Sequence, residues 1–403
     1  MRRMEKLGCL NCETMAPLDV FNTFCSKCRD PLLCQYPTAK RQIYFEKLNP
    51  LEKFLDFLPL DAIDPSLALG EGNTPLLQLK RIGNDLGYPY LYAKNEGHNP
   101  TGSFKDRGTA VAIQKAVSLN IRHIGTVSTG NMASSTAAYG ARAGLKPIVL
   151  VKEDITEEKL LTTGIFGPVT IKVEGDYGAL MSLSSRIGKR HGIFFMNSVD
   201  PFRIEGYKVI GLEVFMQLWS NPPEHILAPV SSGGHLIGLI RAFLDLKEAG
   251  FIKRIPRFVG VQARGCAPIV AAFTGGKKNV RRIEKARTIA QAITNPDPPG
   301  GSLLLKLLRE HNGLMIDVAD KEILEAQQML AHEEGLFCQP ASATVLAGFV
   351  KLAQKNSLDS KDRIVLIITG TGLKSLKILD SRDMNLHHAT LFGLEKIVTG
   401  ALE

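Results

Sequence analysis

The sequence predicts an α/β protein whose mostly parallel sheets are flanked by helices and preceded by a short cysteine-rich segment. Three observations lead to this prediction. After residue 40, short runs rich in Ile and Val alternate with segments of helical period. Turns that carry glycine follow several of these runs and open the next helix, and such a strand–helix–strand repeat covers both faces of a parallel sheet. Five of the seven cysteines fall within the first 34 residues.

The cysteine-rich segment, residues 1–40, has the spacing of a zinc ribbon. A loop of 12 residues separates its two CxxC pairs, which are Cys9 with Cys12 and Cys25 with Cys28. Four thiolates on two tight turns can close a tetrahedral shell around zinc, and the metal then lets a segment without its own core fold. We therefore expect structural zinc on these four cysteines. Disulfides are the alternative, which a cytoplasmic location would disfavour, and Cys34 is a spare thiol that can substitute as a ligand or be buried.

Seven strands and six helices are predicted along the rest of the chain. The strands are short and rich in β-branched residues, and they cover 123–128, 147–152, 169–173, 192–196, 225–229, 257–261 and 363–369. The helices carry apolar residues at helical spacing, and they cover 131–143, 177–190, 205–219, 234–249, 321–333 and 341–355. Residues 295–301 contain three prolines and two glycines, which is the clearest loop signal in the sequence.

Composition and charge narrow the class of protein. The 403 residues are 44% hydrophobic and 22% charged, which is ordinary for a globular protein of two or three domains. No apolar run approaches the roughly 20 residues that span a membrane, and no apolar core precedes Cys9, so we expect no signal peptide and a cytoplasmic location. The net charge of +9 is spread along the chain, which favours binding of anionic metabolites over nucleic acid.

The most informative loop is residues 99–108, Asn-Pro-Thr-Gly-Ser-Phe-Lys-Asp-Arg-Gly. Pro100 fixes one backbone torsion and Gly102 permits a torsion that other residues resist, so the turn can aim Lys105 inward. A desolvated lysine loses its charge readily and becomes a nucleophile. The competing interpretation is a surface loop that ends in a helix N-cap, with an ion pair between the two residues that follow the lysine.

Three further loops lie at predicted strand ends, where open parallel sheets bind their ligands. Residues 128–131 offer hydroxyls, an amide side chain and free backbone N–H groups. Residues 231–235 contain two glycines, through which backbone donors can approach a phosphate. Residues 369–372 end the last strong strand. A reactive lysine combined with these loops meets the needs of pyridoxal phosphate, whose aldehyde, phosphate and ring oxygen require separate partners.

Taken in order, these segments resemble the threonine synthase family, whose members are pyridoxal-phosphate enzymes of the tryptophan-synthase-β type. The resemblance runs from Gly70 to about Leu379, and its motifs are residues 72–76, 99–108, 128–131, 197–203, 340–343 and 369–374. It implies the two-lobed architecture of fold type II, in which residues 95–205 form the smaller lobe. Residues 41–94 with 206–403 would form the larger lobe, which carries the cofactor-phosphate loop, and residues 1–40 would form a zinc-ribbon-like segment.

The resemblance also implies a role for each matching residue. Lys105 would bind the cofactor covalently and move protons, Asn131 would hydrogen-bond the ring oxygen, and Thr369 would face the pyridine nitrogen. The cofactor phosphate would be held by a loop made of Ser231, Ser232, Gly233, Gly234 and His235. The substrate would be bound by Ser128, Thr129, Lys159, Asn197 and Arg203, of which the last three match positions that bind the substrate phosphate.

The activity so implied converts O-phospho-L-homoserine and water into L-threonine and phosphate. The sequence departs from the family at Met132, where a threonine is usual, because a thioether cannot donate a proton. Alternatives on the same scaffold are β-replacement on phosphoserine, as in a cysteate synthase, and a threonine or serine dehydratase. A protein that binds a metabolite without catalysis is a further alternative, which the intact Lys105 argues against. The expected partner is a phosphorylated amino acid rather than nucleic acid or a membrane, and a homodimer is a possible assembly.

Overall fold

The computed structural model describes residues 6–36, 41–153, 155, 157–175, 177–378, 390–391, 394 and 397–399. Over these residues the chain forms three sheets with helices packed against them, and two of the sheets are mainly parallel. The predicted α/β class is therefore confirmed. Among the described residues, no helix combines the length and the apolar character that crossing a bilayer would need.

The strands and helices are numbered here in chain order. The strands are β1 (Lys6–Gly8), β2 (Met15–Pro17), β3 (Leu33–Gln35), β4 (Leu76–Gln78), β5 (Leu91–Asn95), β6 (His123–Val127), β7 (Lys146–Lys152), β8 (Val169–Val173), β9 (Ile193–Phe195), β10 (His225–Pro229), β11 (Arg257–Ala263), β12 (Leu314–Val318) and β13 (Ile364–Ile368). The helices are α1 (Pro50–Lys53), α2 (Lys80–Leu86), α3 (Lys105–Ser118), α4 (Asn131–Arg142), α5 (Glu157–Gly164), α6 (Tyr177–His191), α7 (Pro201–Gln217), α8 (Gly234–Glu248), α9 (Pro268–Thr274), α10 (Gly301–Glu310), α11 (Asp320–Glu334) and α12 (Pro340–Gln354).

A four-stranded parallel sheet has the order β8-β7-β6-β9, and helices α4 and α6 pack against it. All four strands were predicted from their Ile- and Val-rich runs. They lie between residues 95 and 205, the bounds that the resemblance gives to a smaller lobe, and those bounds stay a prediction.

A six-stranded sheet has the order β12-β11-β10-β13-β5-β4, with only β4 antiparallel to its neighbour. Alternate residues of β13 enter different cores. Ile364, Leu366 and Ile368 join the core that contains α12, whereas Val365 and Ile367 join the core that contains α7 and α8. Both faces of the sheet are buried, which explains why its central strands read as continuous apolar runs rather than as alternating patterns.

The predicted helix at 205–219 begins four residues earlier, at Pro201. The Oδ1 atom of Asp200 accepts hydrogen bonds from the backbone N–H groups of Phe202 and Arg203, at 3.0 and 3.1 Å. Asp200 is therefore the N-cap, and Pro201 occupies the first helical position, where its missing N–H costs nothing. This shift places Arg203 inside the first turn of α7.

The N-terminal segment packs onto the main core. Strand β1 pairs antiparallel with β2 and β3, and Leu7 and Leu33 are buried in the same core as α7 and α8. Just after β3, the Tyr36 hydroxyl donates to Glu205 Oε2 at 2.7 Å, and Lys208 Nζ contacts the same carboxylate at 2.8 Å. Apolar packing and a buried charge network therefore tie the segment to α7.

Candidate active site

The turn before Lys105 is held against the loop that follows β13. Backbone N–H of Phe104 donates to the Thr369 carbonyl, and backbone N–H of Thr371 donates to the Gly102 carbonyl, each at 3.0 Å. Gly102 has φ +74°, and a Cβ there would lie 2.8 Å from the Thr371 side chain. Glycine is needed at this position for both reasons. The two loops thus place Lys105, the first residue of α3, beside Thr369.

Lys105 has the properties of a nucleophile. Its Nζ atom lies 4.3 Å from the ring centroid of Phe104 and 5.9 Å from that of Tyr207. Burial and the nearby Arg203 guanidinium lower the pKa of Lys105 to about 7, because both disfavour the charged ammonium. A large fraction of this lysine is therefore uncharged at neutral pH, and a neutral amine can attack a carbonyl carbon.

The alternative interpretation of this loop, with an ion pair between Asp106 and Arg107, is wrong. Asp106 instead accepts hydrogen bonds from the backbone N–H and the hydroxyl of Thr101, both at 2.7 Å. Arg107 contacts Glu96 at 2.7 Å and Glu213 at 2.5 Å, and all three side chains are at most 5% exposed. This buried network joins the turn that follows β5 to α3 and α7. No local sequence pattern predicts these contacts.

Asn131 is the first residue of α4. Its Nδ2 donates to Gln339 Oε1 at 3.3 Å, and its Oδ1 accepts from Lys374 Nζ at 3.0 Å. Ser128 and Thr129 lie on the turn before it and are partly buried. Gln339 and Lys374 are not among the predicted site residues, although Lys374 belongs to a matching motif and Gln339 borders one.

The loop at 231–235 has the form of an anion cradle. Gly233 has φ +95°, and a Cβ on Gly234 would lie 2.5 Å from the Ser198 carbonyl oxygen, so side chains are excluded at both positions. Gly234 is the first residue of α8 and exposes helix N-terminal N–H groups. The Ser232 hydroxyl accepts from Asn295 Nδ2 at 2.8 Å and from Ser198 Oγ at 3.0 Å, which leaves its own hydrogen free to donate.

Unpaired buried polar atoms indicate that this cradle holds a ligand. The ring of His235 lies 4.3 Å from the Phe104 ring, and among the described residues only the Pro229 backbone meets its nitrogens, so at least one ring nitrogen is buried without a partner. Burial and the Lys105 charge lower the pKa of His235 to about 3, so its imidazole is neutral. Ser103 Oγ is likewise buried without a partner. Because buried polar groups normally are hydrogen-bonded, these atoms fit a polar group such as the phosphate of pyridoxal phosphate.

Thr369 lies at the end of β13 and is 4% exposed. Its hydroxyl is 2.8 Å from that of Ser342, and Ser342 Oγ also accepts from the backbone N–H of Gly370 at 3.0 Å. The position expected to face a pyridine nitrogen therefore carries a pair of hydroxyls rather than a carboxylate. A hydroxyl does not enforce protonation of that nitrogen.

The predicted substrate-binding residues differ in their surroundings. Arg203 is fully buried and donates to the Thr109 hydroxyl at 2.9 Å and to the Lys105 carbonyl at 3.2 Å. Asn197 accepts from the backbone N–H of Val127 at 2.9 Å. The backbone of Lys159 lies in α5, but its side chain is outside the described part of the chain. Arg203 is thus adjacent to the lysine, whereas Asn197 borders the phosphate cradle through the neighbouring Ser198.

The four cysteines of the two CxxC pairs meet in the N-terminal segment. Their Sγ atoms all lie within 4.8 Å of one another. Cys9 is 3.3 Å from Cys28, and Cys12 is 3.5 Å from Cys25. Four sulfurs on a zinc ion, each bonded at about 2.3 Å, lie about 3.8 Å apart, so the cluster fits a tetrahedral metal. Cys34, the spare thiol, is fully buried.

Comparisons with known proteins agree with this geometry. The family model described as pyridoxal-phosphate dependent enzyme matches residues 67–370. The threonine synthase of Methanocaldococcus jannaschii is 37% identical over 348 residues, which cover 85% of this chain and 86% of that protein. The threonine synthase of Methanosarcina acetivorans is 34% identical over 376 residues, which cover 92% of each chain.

Solved structures show the same fold at lower identity. Maize serine racemase has a TM-score of 0.65 and 20% identity, with coverage of 82% of this chain and 93% of that one. Threonine deaminase isoform 2 from Solanum lycopersicum has a TM-score of 0.64 and 18% identity, with coverage of 81% and 87%. The predicted family and fold type are confirmed. The chain belongs to the family of pyridoxal-phosphate-dependent enzymes that includes the threonine synthases.

Proposed function

We propose that this enzyme is a threonine synthase that converts O-phospho-L-homoserine and water into L-threonine and phosphate. The observation that carries the proposal is the convergence of Lys105, with its pKa of about 7, on the 231–235 cradle, Asn131 and Thr369. The threonine synthases that are 34–37% identical over most of their length support the choice of reaction.

In this proposal each loop holds one part of the cofactor. Lys105 carries it covalently, Asn131 donates to its ring oxygen, and Thr369 lies at its pyridine nitrogen. Its phosphate is held by Ser231 and Ser232, by the backbone N–H groups of Gly233 and Gly234, and by His235. When bound, pyridoxal phosphate withdraws electrons from an attached amino acid and so acidifies the C–H bonds near its nitrogen.

The overall reaction sets what the protein side chains must do. Phosphate leaves Cγ and the hydroxyl of water adds at Cβ, so protons must leave Cα and Cβ and return to Cα and Cγ. A group that both takes and gives protons needs a pKa near the working pH. Lys105 Nζ, with a pKa of about 7, meets this requirement.

Arg203, Asn197 and Lys159 are proposed to bind the substrate phosphate, and Ser128 and Thr129 the rest of the substrate. An arginine has five N–H donors. The bonds of Arg203 to Tyr207, Thr109 and the Lys105 carbonyl use three of them. Two remain for an anion, which the permanent charge and planar fork of a guanidinium suit.

The second candidate is β-replacement on phosphoserine, and Met132 is the observation that favours it. Met132 is 6% exposed and directly follows Asn131 on α4. Its thioether cannot donate a proton to a reacting group. A reaction that needs no hydroxyl at this position would tolerate the methionine.

One experiment separates these candidates. Purified protein loaded with pyridoxal phosphate is given O-phospho-L-homoserine, phosphoserine or threonine in parallel, and free phosphate, threonine and 2-oxo acids are measured. We expect phosphate and threonine in equal amounts from phosphohomoserine, and no turnover in Lys105→Ala. Absence of phosphate release from phosphohomoserine would exclude the proposed reaction. Phosphate release from phosphoserine, but not from phosphohomoserine, that yields a β-substituted amino acid when a nucleophile such as sulfite is added would establish the second candidate.

We further propose that Cys9, Cys12, Cys25 and Cys28 bind one structural zinc ion. Elemental analysis of protein purified under reducing conditions should find about one zinc per chain. Cys9→Ser should lower that content, whereas Cys266→Ser, at a cysteine outside the cluster, should not. Metal-free protein in which all four cysteines of the cluster are titratable thiols would contradict the proposal. A cytoplasmic location and a homodimer stay predictions of the sequence.

A further inference from the structure

We infer that Lys374 is a positioning residue that turns the Asn131 amide so that its N–H group faces the cofactor. The inference rests on the proposed function, because it concerns the same cofactor site. Lys374 Nζ donates to Asn131 Oδ1 at 3.0 Å and also to the Thr101 carbonyl. It therefore bridges the loop that contains Lys105 and the loop that opens α4.

The ammonium group fixes which end of the amide points where. An ammonium can only donate hydrogen bonds, so the Asn131 atom beside it must be the oxygen. Nδ2 then points the other way, where one of its hydrogens meets Gln339 Oε1 at 3.3 Å. The second hydrogen remains for a ligand. An Asn131 turned by half a rotation would present its oxygen to the ring oxygen of the cofactor, and two acceptors repel.

Packing holds Lys374 in place for this task. A Cβ added to Gly102 would lie 3.6 and 3.8 Å from Cδ and Cε of Lys374, so the lysine stem lies in ordinary contact distance over the bare glycine. Burial lowers the pKa of Lys374, and the carboxylate of Asp106, which accepts a hydrogen bond from Thr101, partly opposes this effect. This packing and its two hydrogen bonds hold the Lys374 amine between Thr101 and Asn131, where it orients the amide.

The test compares Lys374→Met, which removes the donor and keeps most of the length, with Lys374→Arg, which keeps the charge. We expect Lys374→Met to bind pyridoxal phosphate about tenfold more weakly, as loss of one hydrogen bond of about 1.4 kcal/mol implies. The visible absorbance of the bound cofactor should shift, because its ring oxygen loses a donor. Lys374→Arg should restore both. Lys351→Met removes a partly buried lysine bridge to Asp317 away from the site and should change neither.

A double-variant cycle tells positioning from a separate structural effect. If Lys374 acts through Asn131, adding Lys374→Met to Asn131→Ala should weaken cofactor binding by less than twofold beyond Asn131→Ala alone. An equal tenfold loss in both backgrounds would overturn the inference, and so would an unchanged dissociation constant and absorbance in a folded Lys374→Met protein.

The same samples separate the inference from the proposed function. Borohydride reduction should trap the cofactor on a peptide that contains Lys105. If the native protein traps none, both the proposed function and the inference fall. If the native protein traps it but Lys374→Met behaves as native, only the inference falls. Thermal melting of each variant establishes that it is folded.

Discussion

At Lys105, the environment rather than the residue type decides the chemistry. A lysine in water has a pKa of about 10.4, whereas burial and Arg203 bring the pKa of Lys105 to about 7. Arg203 is held behind it by its own hydrogen bonds to the Lys105 carbonyl and to Thr109. The Arg203 charge that lowers the pKa of Lys105 is therefore held in place by the folded structure.

This electrostatic arrangement predicts a pH dependence. The rate at which cofactor-free protein captures pyridoxal phosphate should rise with pH as Lys105 loses its proton, with a midpoint near 7. The neutral amine exists only above its pKa, so an ordinary lysine would give a midpoint near 10. Arg203→Gln should move the midpoint to higher pH, because it removes a repelling positive charge. Stopped-flow absorbance measures the rate.

The control for this prediction is Arg264→Gln, which alters a half-exposed arginine that pairs with Asp317 on another surface. Its midpoint should match that of the native protein. A native midpoint near 10, or an Arg203→Gln midpoint at or below the native one, would show that the guanidinium does not tune this lysine.

Among the elements, the start of α8 depends on a missing side chain. Gly234→Ala should weaken cofactor binding and lower the free energy of unfolding by about 1–3 kcal/mol, since its Cβ would lie 2.5 Å from the Ser198 carbonyl oxygen. Urea unfolding and cofactor titration measure the two effects. Gly164→Ala, where the new Cβ meets nothing within 4 Å, is the matched control. Equal stability of the two variants would contradict the argument.

The buried charges beneath the lysine make a second prediction at the scale of elements. Arg107→Met leaves Glu96 and Glu213 buried without their main partner, which should cost about 3–5 kcal/mol of unfolding free energy. Arg81→Met breaks an ion pair with Glu333 in which the arginine side chain is 66% exposed, and such pairs contribute at most about 1 kcal/mol. Denaturant titration of both proteins gives the comparison. Losses of similar size would mean that the buried network does not stabilise α3 and α7.

At the scale of the whole molecule, the N-terminal segment is continuous with the core. Leu7, Leu33 and Tyr36 share the apolar cluster of α7 and α8, and Tyr36 bonds to Glu205, two residues from Arg203. A change that destabilises this segment should therefore also destabilise the core that contains α7 and α8.

Metal removal should reveal this continuity. A chelator that strips zinc from the reduced protein should lower the melting temperature of the main unfolding transition, and added zinc should restore it. A variant with serine at all four cysteines of the cluster should melt low and no longer respond to either treatment. A main transition that stays unchanged on chelation, beside a separate small one, would show an independent accessory segment.

The sequence alone determined the elements and the candidate loops. All seven predicted strands and all six predicted helices are present. Apolar periodicity and the glycine and proline turn signals depend only on residues that are close in sequence, so a local pattern suffices to predict these elements. The sequence missed the shorter elements and also β5, β12 and α3 beside the site. Strand β12 was missed because Asp317 interrupts its short apolar run, and α3 was missed because it begins at Lys105 without a side-chain cap. The order of the motifs also identified the family.

Only the tertiary structure decided which distant side chains meet. Arg107 is hydrogen-bonded to Glu213, which lies 106 positions away in the sequence. Lys374 is hydrogen-bonded to Asn131, which lies 243 positions away. Strand β13 lies beside β5, and this pairing brings the last loop against the loop of Lys105. Local patterns carry no information about such pairings. The sequence therefore identified Lys105 as the candidate nucleophile. The packing of α3, α7 and α8 around it determines its pKa and the side chains that it contacts.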